Sequence, residues 1–158
     1  MTQTADASGD PVLQWVTFQL GSETYGINVL QVREVLRVTD ITPVPGSPEY
    51  VLGIINLRGN VVTVIDSRSC FGLPDKEHDD LSRIVIVEVS GQIVGILVDS
   101  VAEVVYLRTS QIDHAPNVGA DESAKYIQGV YSREDELLIL VDLNKLITTE
   151  EMYDVAHI

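Results

Sequence analysis

Residues 50–66 read YVLGIINLRGNVVTVID, from Tyr50 to Asp66. Two apolar, largely β-branched runs, Ile54–Leu57 and Val61–Ile65, flank Arg58-Gly59-Asn60. So short a glycine-containing link between two such runs predicts a tight β-hairpin. The pattern returns 76 residues on: Tyr50 falls on Tyr126, Gly53 on Gly129, and Val64-Ile65-Asp66 on Leu140-Val141-Asp142. Upstream the offset is 69. Tyr25-Gly26-Ile27 falls on Val94-Gly95-Ile96, Val29 on Val98, Val32 on Val101, and Glu34-Val35 on Glu103-Val104. The step from 69 to 76 puts seven extra residues in the second copy, placed most naturally in the polar loop 115–125. The chain is therefore an internal duplication.

Each copy carries about five short strands in roughly 60 residues, a unit that buries little surface alone, so the two should share a core. Five short strands commonly close into a small barrel, which removes exposed sheet edges. The expected fold is mainly β: two similar five-stranded barrels packed as one body, the first over about 14–74 and the second over about 83–148. Residues 1–13 are expected to form a disordered arm and 149–158 a tail. Composition agrees. There are 23 Val and 14 Ile against 7 Ala and 15 Leu. β-Branched side chains suit a pleated sheet, whereas Ala and Leu favour helix.

Working outward from the hairpin, Val16, Phe18 and Leu20 alternate with Thr17 and Gln19, a half-buried strand. Tyr25–Val29 returns after the turn Gly21-Ser22-Glu23-Thr24. Val29, Val32, Val35 and Leu36 suit a helical turn and a bent strand equally. Pro43, Pro45, Gly46 and Pro48 mark a rigid loop, in which Ser47 and Pro48 have the form of a helix start of a single turn. Arg83–Val89, Ile93–Val98, Glu103–Leu107, Tyr126–Val130 and Leu137–Val141 are further strands, and Leu143, Leu146 and Ile147 suit a short C-terminal helix.

The chain has 158 residues, ten Lys and Arg, 24 Asp and Glu, and a net charge of −14. That excess opposes binding to nucleic acid or an anionic membrane. Residues 1–74 carry −3 and residues 75–158 carry −11, and Arg33, Arg37, Arg58 and Arg68 are all the basic residues of the first part. The first copy can therefore offer arginine to an acidic partner more readily than the second. One cysteine, Cys70, excludes an internal disulfide and suits a reducing compartment. The start has neither a basic region nor an apolar run of signal-peptide form, so a cytoplasmic location is expected.

Chemistry-bearing residues are sparse. His78, His114 and His157 sit in polar segments, where histidine is usually solvated. Cys70 has no activating neighbour and reads as a core filler. Asp66 and Asp142 form either a carboxylate pair or, more commonly for an acid following a strand, two helix caps. Glu77, His78, Asp79 and Asp80 match no closed zinc or calcium pattern. No catalytic residue, metal site or cofactor is expected. Arg58 in the hairpin link is either solvated or reaches a partner's carboxylate. Glu34 and Glu103, each among valines, lie on a solvent face or rim an apolar groove.

The runs Tyr25-Gly-Ile-Asn-Val29, Val32-Arg-Glu-Val35, Ile41-Thr-Pro-Val-Pro45, Gly53-Ile-Ile-Asn-Leu-Arg-Gly59, Val64-Ile-Asp66, Arg83-Ile-Val-Ile-Val87, Val94-Gly-Ile-Leu-Val-Asp99 and Leu138-Ile-Leu-Val-Asp142 occur in order. Over roughly residues 14–148 the chain resembles CheW, the family of bacterial chemotaxis coupling proteins. The resemblance implies two SH3-like five-stranded barrels around a shared core and no catalysis. It implies an adaptor joining the cytoplasmic tips of methyl-accepting chemoreceptors to the regulatory domain of the histidine kinase CheA, recruited to membrane-bound receptor arrays by protein contacts. Receptor contacts map to Val32, Glu34, Gly53, Arg58 and Val104, and kinase contacts to Val61 and Thr63. Thr63 stands where the family often has proline, and Ser67 where it often has leucine. Other readings are the same adaptor role in a pilus or gene-regulation system, an enzyme using Asp66 with Asp142 or Cys70, and a small-molecule site between the barrels.

Overall fold

The computed structural model describes residues 4–5, 10–114 and 126–147. Its strands are β1 (Thr4–Ala5), β2 (Pro11–Leu20), β3 (Glu23–Asn28), β4 (Val32–Arg37), β5 (Val51–Leu57), β6 (Asn60–Asp66), β7 (Arg83–Val89), β8 (Gln92–Val98), β9 (Ser100–Arg108), β10 (Ile127–Arg133) and β11 (Glu136–Val141). Two short helices, α1 (Ser67–Cys70) and α2 (Leu143–Ile147), follow β6 and β11. The duplication maps element onto element. Shifted by 76, the bounds of β5 become those of β10, and β6 and α1 fall on β11 and α2. Shifted by 69, β3 falls on β8 and β4 within β9.

The strands form two sheets. Sheet I runs β9-β2-β3-β11-β10, with β1 added at the start of β2, and sheet II runs β4-β7-β8-β6-β5. This corrects the expected division into barrels over about 14–74 and 83–148. Each sheet takes two strands from one copy and three from the other. The exchange is made by two parallel pairings, β3 with β11 and β6 with β8. Antiparallel hairpins supply most of the remaining ladders. Pro11–Leu13, expected at the end of a disordered arm, instead belongs to β2, where Val12 and Leu13 stand opposite Arg108 and Leu107. The expected tail at 149–158 and the loop 115–125 lie outside the described residues.

Both sheets bend at equivalent bulges. Register shifts occur at Val51/Gly53 in sheet II and at Ile127/Gly129 in sheet I. Extra residues of this kind bend a strand and increase its twist. The bend brings the edges together: Thr42 bridges to Ile54 in sheet II, and Asp113 to Val130 in sheet I. Gly53 has φ 151°, and a Cβ there would lie 2.2 Å from the Thr42 carbonyl oxygen. Only glycine allows this approach.

Burial divides into three clusters. Ile55, Val62, Val64, Ile84 and Ile86 fill the concave side of sheet II, while Trp15, Val105, Leu107, Leu138 and Leu140 fill that of sheet I. The largest cluster lies between the sheets and takes Phe18, Tyr25 and Ile27 from sheet I and Ile65, Val85, Val87, Val94 and Ile96 from sheet II. Successive residues of β7 therefore point into different cores. Ile84 and Ile86 face one, and Val85 and Val87 the other. A strand buried on both faces needs an unbroken apolar run, which accounts for the valine and isoleucine excess.

Two local readings resolve differently. Ser47 starts no helix. Its Oγ donates to the Val44 carbonyl at 2.7 Å, and the chain makes turns before β5. Three prolines nearby leave too few backbone donors for a helical turn. Val32, Val35 and Leu36 lie in a strand, preceded by a 3-10 turn at Val29–Gln31 that Asn28 caps.

A part-buried ion pair fastens the body. Arg68, on α1, donates from Nε to Asp99 at 2.8 Å and from a terminal nitrogen at 2.5 Å, and also to the Pro74 carbonyl at 2.9 Å. Asp99 also accepts the Gly21 amide at 2.8 Å, so the β2–β3 turn of sheet I is tied to the end of β8 in sheet II. The Arg68 hydrogen bonds hold the Asp99 carboxyl below the usual carboxylate range, against the opposing effect of burial and with help from the Gly21 amide. A carboxyl whose folded value lies below its unfolded value of about 4 stabilises the fold above that pH, and the contribution fades as pH falls through the folded value. Asp99→Asn should cost about 2 kcal/mol at pH 7, because it leaves Arg68 without its charge partner. The difference from wild type should shrink below about pH 4. Urea unfolding at several pH values checks this, and a pH-independent difference would remove the ion pair's assigned role.

Candidate functional site

The hairpin link forms a two-residue turn. Arg58 has φ 52° and Gly59 φ 87°, both left-handed as a turn matched to strand twist requires. The Asn56 side chain accepts the Gly59 amide at 2.8 Å and fixes the corner. This holds Arg58 at the β5 edge of sheet II, with its side chain 69% exposed.

The guanidinium is neither free nor fully solvated. It grips Glu34 with both terminal nitrogens, one donating to Oε1 at 3.2 Å and the other to Oε2. Glu34 sits on β4, the opposite edge of the same sheet. The pair therefore spans the seam where the two edges meet, beside the Thr42–Ile54 bridge. The Arg58 hydrogen bond lowers the Glu34 carboxyl from its ordinary value, against the opposing effect of burial and with help from the charges of Arg58 and Arg33. Such exposed pairs add little to stability and lie ready for exchange with charges on a partner.

The duplication repeats this corner. Glu103, equivalent to Glu34, accepts from Arg133 at 3.2 Å. Sequence comparison missed Arg133 because it aligns with Leu57, while the position of Arg58 is held by Glu134, whose φ is 54°. The second arginine reaches its acid from the strand end and not from the turn. A search for any cation within one residue of the shifted position would have found it.

The remaining expected residues are placed unevenly. Val32 is half-buried and packs against the shared core. Gly53 is buried, so it shapes the seam and offers no contact surface. Val104 is 40% exposed, but on β9 of sheet I, away from the sheet that carries the other four. Its equivalent by the repeat is Val35, 41% exposed. Val61 is 70% exposed and lines a cleft of about 320 Å³ with Thr39, Asp40, Thr42 and Ile54. Thr63, expected beside it as a contact, is 5% exposed and flanked by Ile54 and Val94, so it has almost no surface to present.

The catalytic candidates have structural roles. Asp66 accepts the Arg68 amide at 3.0 Å and caps α1, and Asp142 accepts the Asn144 amide at 3.0 Å at the start of α2. They stand at the ends of strands in different sheets. Cys70 packs against the shared core. Burial, then the charge of Asp66, pushes its thiol up to about 12. Asp79 is held by its own turn and by Lys76 at 3.3 Å. Among the described residues no group of three or more His, Cys, Asp and Glu is arranged to hold a metal ion, and no helix is long and apolar enough to cross a membrane. Since thiolate is the reactive form, Cys70 should react with a disulfide reagent at pH 8 at least tenfold more slowly in the native chain than in urea. Equal rates would contradict its packing.

Comparison with known proteins bears on the whole arrangement. The family model for the CheW-like domain matches residues 14–151. The chemotaxis protein CheW of Treponema pallidum is 35% identical over 156 residues, covering 96% of this chain and 92% of that protein. The CheW of Klebsiella aerogenes is 34% identical over 139 residues, covering 88% and 84%. The crystal structure of the scaffolding protein TtCheW from Thermoanaerobacter tengcongensis superposes with a TM-score of 0.80 at 35% identity, covering 88% of this chain and 94% of that one. With two matching five-stranded sheets and nearly full-length similarity, the chain belongs to the CheW family of chemotaxis scaffold proteins.

Proposed function

We propose that this chain is a non-catalytic adaptor that couples the cytoplasmic tips of chemoreceptors to the histidine kinase CheA, and so recruits the kinase to membrane-bound receptor arrays. The observation that carries the reading is the Glu34–Arg58 pair at the seam of sheet II. A fixed carboxylate and a fixed guanidinium at one exposed corner can each find a partner on an α-helical receptor tip while Val32 supplies apolar area behind them. Gly53 acts indirectly, by letting the Thr42 segment approach and set the corner's shape. Val104, on the other sheet, adds apolar contact where a long helix passes both sheets. The kinase contact falls to Val61 and its cleft, with Thr63 supporting from within. Signalling is then a shift among arrangements of a ternary assembly, and the adaptor matters by favouring one of them.

Co-sedimentation with receptor cytoplasmic fragments and the kinase tests this. Arg58→Glu should reduce receptor-dependent pelleting about tenfold or more, since it replaces an attraction with a repulsion at the contact. Val32→Asp should do the same, with a melting curve run alongside because the residue also touches the core. The charge-exchanged double variant Glu34→Arg/Arg58→Glu restores the internal pair. It should remain defective in receptor binding, and recovery of binding would show that the pair acts only inside the fold. Val61→Asp should lose kinase and keep receptor. Full activation of the kinase by Arg58→Glu would sink the proposal.

A further inference from the structure

We propose a second recognition site, distinct from the Glu34–Arg58 corner: the cleft at the far end of β4 docks an acidic segment of a protein partner through Arg37 and Arg83. These two arginines stand directly opposite each other in the β4–β7 ladder. Like charges facing across strands repel, and a free chain gains nothing from them. Nearby basic residues are all matched: Arg33 with Glu88, Arg58 with Glu34, Arg68 with Asp99 and Lys76 with Asp79. Arg37 has no hydrogen-bond or ion-pair partner among the described residues. Among the described residues Arg83 donates only to the backbone carbonyls of Asp80 and Ser82, each at 2.8 Å, which aims its guanidinium without neutralising it. In a chain of net charge −14, two arginines side by side with no ion-pair partner among the described residues are a local exception.

Both line one open cleft of about 710 Å³, together with His78, Asp79, Asp80 and Ser82. The acidic walls decide the kind of anion. The Asp79 carboxylate is already engaged by Lys76, by the Leu81 amide at 2.9 Å and by the Ser82 hydroxyl, but its charge and that of Asp80 remain. A phosphate dianion brings concentrated negative charge against them. Two separate carboxylates, each gripped by one guanidinium, spread that charge and use the fork geometry of arginine. The cleft is also too wide and open for a single small ion. The occupant is therefore an extended peptide with two nearby Asp or Glu side chains.

The test is titration of the isotopically labelled full chain with N-acetyl-tetraglutamate amide, followed by NMR of arginine side-chain and backbone signals, with inorganic phosphate in a parallel arm. The expected result is saturable shifts at Arg37, Arg83 and His78 that fade with salt. Arg37→Gln and Arg83→Gln should each weaken binding about tenfold, and Arg37→Lys should retain part of it. In the unliganded protein Arg37→Gln should raise the melting temperature by about 1–3 °C by removing the cross-strand repulsion. Absence of saturable shifts, or unchanged affinity in both glutamine variants, would overturn the site. Tighter binding of phosphate than of the peptide would overturn the choice of occupant, and a lower melting temperature would show that Arg37 is already satisfied. None of these outcomes depends on receptor or kinase binding, so this inference and the adaptor reading fail separately.

Discussion

The exchange of strands between the two copies governs the rest of the molecule. A unit of about sixty residues cannot bury enough apolar surface to stand alone. Here each sheet borrows strands from the other copy through the β3–β11 and β6–β8 pairings. Neither sheet can form without the other half of the chain, so the body is cooperative by construction. The consequence is visible in the cores. Both faces of β7 and β8 are buried, one against the concave side of sheet II and one against sheet I. Gly95 and its repeat partner Gly26 mark where that double burial is tightest. A Cβ at Gly95 would lie 2.9 Å from Ile84 Cγ2, and one at Gly26 would lie 3.1 Å from Leu140 Cδ2.

The same topology creates the candidate site. Curling a five-stranded sheet brings β4 to β5, and something must mark and hold the seam. Sheet II does this with the Thr42–Ile54 bridge, the glycine that permits it and the Glu34–Arg58 pair. Sheet I answers with Asp113–Val130, Gly129 and Glu103–Arg133. Edge strands otherwise invite unwanted pairing. Closing them with polar contacts leaves apolar side chains such as Val35 and Val104 exposed beside a charged corner, the mixture of apolar area and polar rim that interfaces use.

Much of this was legible in the residues. The hairpin at Arg58-Gly59 follows from turn chemistry, and the duplication follows from offsets of 69 and 76, which the element bounds reproduce. The capping by Asp66 and Asp142 was legible too, since an acid after a strand and before a helix has a ready backbone donor. The strand exchange was not. Periodicity says which residues face a core, but an internal repeat is equally consistent with contiguous and exchanged barrels, because partner choice is a long-range decision. The burial of Thr63 was hidden for a related reason. Val61 and Thr63 share a parity on a regular strand, and alternation would expose both. In the structure Val62, Thr63, Val64 and Ile65 are all buried, since β6 lies between β8 and β5 with cores on both sides. The Glu34–Arg58 pair needed the curl of the sheet, which no local pattern encodes.

Duplication also supplies two related corners of different charge. In sheet II the turn residues are Arg58 and Gly59, and in sheet I the equivalent positions hold Glu134 and Asp135. The first turn residues share a left-handed backbone, with φ of 52° at Arg58 and 54° at Glu134, but the second differ, Gly59 having φ 87° where Asp135 has no positive φ. The backbone at the first turn residue gives a partner no basis for choosing between them, and charge separates the two corners. A contact carrying exposed carboxylates gains at the first corner and is repelled at the second, where Arg133 is shared between Glu103 and Glu136. The uneven charge of the two copies, −3 against −11, thus breaks the molecule's approximate symmetry. The proposed coupling of two different proteins is served by that asymmetry, because an exact duplication would present the same corner to either partner.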